Sequence, residues 1–109
     1  MISRIWHGYA TQENADRYQA VVTGEVIPEI LSMNIPGFVK IELFRLDGDV
    51  DVEFITIMWF QDIQSVKAFT GEDFERSHVP PRARAVLSRF DERARHYDVL
   101  LANEARRAV

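Results

Sequence analysis

The sequence predicts an α+β domain with the order strand, helix, strand, strand, helical region, strand, and three observations support it. Apolar residues recur every three to four positions between Gln12 and Ile30, the period of a helix with one buried stripe. Two runs rich in β-branched and aromatic residues, Phe38 to Asp47 and Val50 to Phe60, flank Asp47-Gly48-Asp49, a hairpin signal. With 109 residues, the chain fits one domain and has little room for a second core.

The first strand is read from Ile2 to Ala10, with Thr11 as the N-cap of the helix that follows. Ala15, Tyr18, Val22, Val26 and Ile30 form the helix stripe, with Val21 beside it. Gly24 and Pro28 lie within that stretch, and a proline that lacks an N–H predicts a kink or an irregular last turn. Asn34-Ile35-Pro36-Gly37 marks the turn into the hairpin. Asp62 caps a second helix with Ile63, Val66 and Phe69 on its apolar side, broken at Gly71-Glu72-Asp73. Pro80-Pro81 opens a third amphipathic segment carrying Ala83, Val86, Leu87 and Phe90. A last strand is expected from Arg95 to Leu101, and Ala102 to Val109 is read as a short helix or tail.

This order is the split βαβ, ferredoxin-like pattern, an antiparallel sheet with its helices on one face. Such a sheet should alternate apolar and polar residues, yet Phe54-Ile55-Thr56-Ile57-Met58-Trp59-Phe60 is apolar on both faces. The first strand likewise places Trp6 on one face and Ile5 and Tyr9 on the other. Burying one large apolar side chain stabilises by about 1.5–3 kcal/mol, so a second cover for the sheet is expected. A second copy stacked sheet to sheet provides it, and the space between the sheets is a place for a small apolar ligand.

A formal charge of −4 offers no excess of cations for a nucleic acid. No cysteine is present, which removes thiolate chemistry and suits a reducing compartment. No leader-like or membrane-length apolar run is seen, so a soluble cytoplasmic protein is expected. Phosphate loops, nucleophile elbows, His-x-x-x-His pairs and EF-hand loops are absent from the sequence.

Arg4-Ile5-Trp6-His7-Gly8, Ile35-Pro36-Gly37-Phe38, Val52-Glu53-Phe54-Ile55-Thr56, Trp59-Phe60 and Gly71-Glu72-Asp73-Phe74-Glu75 together resemble the antibiotic biosynthesis monooxygenase family of the dimeric α+β barrel superfamily. The resemblance covers the chain to about Leu101. It implies a homodimer and one of two chemistries. One branch oxidises aromatic substrates with O₂ and no metal or organic cofactor; the other degrades haem. The segment ending Arg76-Ser77-His78 resembles the one that carries the iron-ligating histidine of the haem branch, which places His78 there. The strand asparagine of that branch falls near His7, and its helix tryptophan at Ala68 or Phe69, so two signature groups depart from the pattern.

The candidate catalytic groups are His7 and His78, which can exchange a proton near neutral pH. The plainer alternatives are a hydrogen-bonded structural histidine at position 7 and a helix-end histidine at position 78. Trp6, Tyr9, Trp59 and Phe74 are the candidate substrate-binding residues, the aromatic rings by stacking a planar molecule; core or dimer packing is the alternative. Arg4 is read with Tyr9 as a holder of a phenolate or carboxylate, or else as a surface ion pair. His96 and Asp98 share a strand face and could pair. Glu53 is read as a base of raised pKa or, more plainly, as a partner of Lys40 or Arg45. The mixed charges from Arg82 to Arg95 suit a solvated face or a dimer rim.

The expected function is a homodimeric monooxygenase acting on a small aromatic molecule without a cofactor or metal. Its pocket is expected between sheet and helices, lined by Trp6, His7, Trp59, Phe74 and His78. Haem binding through His78 and a non-catalytic dimeric ligand-binding domain are the alternatives.

Overall fold

The computed structural model describes residues 1–105. Three ten-residue strands dominate it: β1 (Ile2–Thr11), β2 (Phe38–Asp47) and β3 (Asp51–Phe60). Two short strands follow, β4 (Arg89–Phe90) and β5 (Arg95–Asp98). All pairings are antiparallel, in the order β2-β3-β1-β4, and β5 pairs with the same edge of β1 as β4 does. The expected α+β, ferredoxin-like architecture is the one observed. Its last strand is split in two, with β5 stopping at Asp98 short of Leu101.

The first helix runs as α1 (Ala15–Val21), a π-helical turn (Val22–Val26) and α2 (Ile27–Ser32). The irregularity expected around Gly24 and Pro28 is this π turn, in which the Ile27 N–H reaches the Val22 carbonyl five residues back. Pro28 has no N–H to continue the usual ladder, and the wider turn absorbs the break. Thr11 is not the N-cap. That position is Asn14, while Thr11 ends β1 and its hydroxyl accepts from the Asn14 N–H at 3.2 Å.

Asp62 does cap α3 (Ile63–Thr70), its carboxylate accepting from the Ser65 N–H and hydroxyl, each at 2.9 Å. Such a cap is worth about 1 kcal/mol. The segment after Pro80 forms only α4 (Pro81–Arg84), and Phe90 lies in β4 rather than on a helix. The helical spacing of Phe90 was coincidental: its backbone pairs with Gly8. Residues 102–105 carry no regular structure, and the remainder of the expected terminal helix or tail lies outside the described residues.

Side chains of β1 and β3 alternate between two faces. Ala10, Val52, Phe54, Met58 and Phe60 point under the helices and form the core with Tyr18, Val22, Val26, Ile30 and Val66. Phe54 and Phe60 are fully buried there. Gly37 joins the layers: its φ is 79°, and a Cβ would lie 1.9 Å from the Ser65 hydroxyl, so no other residue fits without movement.

The other sheet face carries Ile5, His7, Tyr9, Glu53, Ile55, Ile57 and Trp59, none of them fully buried. On β2 it continues through Phe44 and Leu46, which are 47% and 66% exposed. No helix of the described residues covers this face, and none is long and apolar enough to cross a membrane.

Candidate active site

Between the sheet and the first helix lies a cavity of about 50 Å³. Its floor is Arg4 and Trp6 of β1 with Thr56 and Met58 of β3. Tyr18, Val22, Val26 and Ile30 form the helical wall, and Phe69, His78, Val79 and Pro80 close the third side. The walls are mostly apolar, and the polar groups gather at one end.

Arg4 lies between β3 and β5, opposite Met58 on one side and His96 on the other. It is 3% exposed and is the one buried charged side chain among the described residues. Its Nη1 donates to the Phe74 carbonyl at 2.5 Å and to His96 Nε2 at 3.0 Å, and its Nη2 donates to the Arg76 carbonyl at 2.8 Å. The guanidinium stands 5.7 Å from the centre of the Phe69 ring. Burial lowers its pKa to about 10, which leaves it a cation at neutral pH.

An arginine can only donate, so His96 Nε2 must accept and the proton must sit on Nδ1. His96 is held neutral, its pKa lowered to about 4 by burial first and by the Arg4 cation second. Its buried Nδ1 has no hydrogen-bond partner. The His96–Asp98 pair that strand spacing allowed is not made. Antiparallel pairing of β5 with β1 sets His96 against Arg4 instead.

His78 stands at the rim, where Val79-Pro80 leads into α4. Its ring is 5.0 Å from that of Phe69, tilted by 52°. Desolvation, then Arg4, lowers its pKa. The imidazole is therefore neutral near pH 7 and able to accept a proton. Beside it Arg82 of α4 pairs with Glu29 of α2, bridging the two elements.

Trp6 lies in the cavity floor, its indole N–H donating to the Asp91 carbonyl at 2.7 Å. Gly8 permits this pose, since a Cβ there would come 2.7 Å from the indole ring. Phe74 is behind the wall: its carbonyl takes the Arg4 bond and its ring meets His96 edge-on at 5.2 Å.

The expected single pocket lined by Trp6, His7, Trp59, Phe74 and His78 is not formed. His7, Tyr9 and Trp59 lie on the opposite face of the sheet, because strand side chains alternate and Trp6 takes the helix side. There His7 Nδ1 and Glu53 Oε2 are 2.7 Å apart, and the Tyr9 hydroxyl donates to the same oxygen at 3.3 Å. Glu53 therefore pairs with neither Lys40 nor Arg45, which bind Glu42, and Asp16 with Asp47. The Trp59 indole N–H donates to Glu42 at 2.7 Å, under the Lys40 ammonium.

Sequence reasoning missed Tyr18, Met58 and Val79 as cavity residues, since each reads as ordinary core. It also missed the Arg4–His96 contact, which spans 92 positions. The register of β1 against the last strand was the only signal that could have given it.

A porphyrin does not fit beside His78. Phe69 packs against the imidazole where a macrocycle would have to lie, and Ala68, at the position of the haem branch's tryptophan, is exposed on α3. Among the described residues no three His, Asp or Glu side chains gather as a metal donor set.

No protein-family model matches the sequence, and no curated protein matches it. Among solved structures, one from Bacillus cereus, provisionally assigned as an antibiotic biosynthesis monooxygenase, superimposes with a TM-score of 0.68 over 98% of both chains at 13% identity. Likeness at that identity carries architecture and not reaction. Over 98% of its length the chain thus shares the fold of that provisionally assigned antibiotic biosynthesis monooxygenase.

Proposed function

We propose that the chain is a homodimeric monooxygenase for a small aromatic substrate, working without a metal or organic cofactor. The observation that carries this reading is the aromatic-walled cavity with a neutral imidazole at its rim: Trp6 and Phe69 flank it, and His78 opens onto it. A ring bound there is desolvated, and His78 takes the proton whose removal makes it electron-rich.

The electron balance needs no external reductant. A ring CH₂ made acidic by flanking oxygens loses a proton to His78, and the carbanion gives electrons to O₂ to form a C–O bond. The resulting peroxide loses its outer oxygen as water, leaving a ring carbonyl. Four substrate electrons reduce one O₂, with one oxygen retained and one released.

The open sheet face is proposed as the dimer contact. Ile5, Ile55, Ile57, Phe44 and Leu46 form an apolar surface of the kind that marks association. Within the proposed dimer, the His7–Tyr9–Glu53 cluster lies between the two sheets, away from the His78 cavity.

Oxygen uptake with a panel of electron-rich hydroxyaromatics that carry a ring CH₂ between oxygen-bearing rings tests the reading. Wild type is expected to consume one O₂ per molecule oxidised, and His78→Ala to lose about 10²–10⁴-fold in rate. Turnover no greater than that of the variant across the whole panel would refute it.

A further inference from the structure

We infer that the cavity is built for a planar ring carrying one anionic oxygen group, a carboxylate or phenolate, and that Arg4 is the residue that receives it. This deepens the proposed function and rests on the same cavity.

An unpaired buried charge is costly, so buried cations normally face an acid. Arg4 does not. Its three bonds all go to neutral acceptors, two carbonyls and one imidazole, and among the described residues no carboxylate forms an ion pair with it. His96 adds no negative charge, and its orphaned Nδ1 leaves a second donor unmet nearby.

Those bonds hold the guanidinium rigidly in the cavity wall and use three of its five N–H donors. Two remain, and a delocalised fork suits a planar oxyanion better than a point charge would. The rest of the lining is largely apolar, Val22, Val26, Met58 and Phe69 among it, and its other polar side chains, Tyr18, Thr56 and His78, are neutral at pH 7. One cation at one end of an apolar cavity selects a monoanion with a hydrophobic body. A ligand with two acid groups would leave one uncompensated in a cavity of about 50 Å³.

Calorimetry at pH 7 with 2-hydroxybenzoate and its neutral amide, 2-hydroxybenzamide, tests the assignment on the full chain. Wild type is expected to bind the acid at least about 10-fold more tightly than the amide, the gain of one charge-assisted contact. Arg4→Gln should erase that preference while keeping amide affinity within about 3-fold, and Arg4→Lys should recover only part of it. If Arg4→Gln does not fold, the acid-to-amide ratio of wild type still decides.

Equal affinity for acid and amide in wild type overturns the inference, as does an Arg4→Gln variant that keeps the preference. Equal affinity with intact oxygen uptake sinks the inference and spares the oxygenase reading. Strong acid preference without turnover of any hydroxyaromatic does the reverse. Binding of neither compound overturns the inference.

Discussion

The helix-covered face of the sheet isolates its polar groups, whereas the open face pairs them. Arg4 sits among Trp6, Met58 and Phe69 with only neutral acceptors, and His78 and His96 are both driven toward their neutral forms. Across the same strands, His7 finds Glu53, Tyr9 shares that carboxylate, and Trp59 finds Glu42. A satisfied network specifies structure, while an uncompensated charge beside a cavity leaves interaction energy for something else. The contrast supports the proposed ligand recognition on the covered face and the proposed self-association on the other.

Truncation should separate the faces most sharply. Phe60→Ala removes a fully buried ring on the covered side and should cost about 3–5 kcal/mol in urea unfolding. A loss under ~1 kcal/mol would mean that this side is not the core.

Ile57→Asp on the open face should instead leave a folded chain of near-native circular dichroism that sediments as a monomer. A desolvated carboxylate opposes sheet stacking. Sedimentation unchanged from a dimeric wild type would place the contact elsewhere, and a monomeric wild type would remove the dimer altogether.

The pH dependence of stability gives a smaller effect. The folded pKa of His96, about 4, lies below its ordinary value, so between pH 6.5 and 4 the unfolded chain takes up a proton that the folded chain refuses. Stability should therefore fall as pH drops through that window, by no more than about 1–2 kcal/mol given the partial exposure of the ring. His78 contributes in the same direction. His96→Gln keeps an acceptor for Arg4 and should flatten the slope; an unaltered slope would show that the protonation of His96 is not its source.

Smallest of all should be Arg93→Ala, which breaks exposed pairs with Asp73 and Glu75. Its unfolding midpoint is expected to match wild type, because solvated ion pairs contribute little. A clear drop would show that the rim of the fold carries more than the two faces imply.

Much of the fold was legible locally. The stripe from Ala15 to Ile30, the hairpin around Gly48 and the cap at Asp62 are near-neighbour patterns, and each appears in place. Even the break near Pro28 announced itself, since a missing N–H must be accommodated somewhere. Phe90 misled because its spacing continued a helical period while its backbone joined β1. The site was less legible for the same physical reason. Trp6 and Trp59 look equivalent until the register decides which face each takes, and Arg4 meets His96 only through strand pairing across nearly the entire chain.

The two tryptophans make the central claim directly measurable, since one lies on each face. Titration with 4-nitrobenzoate, a non-fluorescent acid that quenches indole on contact, should be followed in Trp6→Phe and Trp59→Phe variants. Saturable quenching retained in Trp59→Phe and lost in Trp6→Phe is the expected result. Quenching that instead follows Trp59 would place the ligand on the open face and contradict the assignment of the covered cavity as the site.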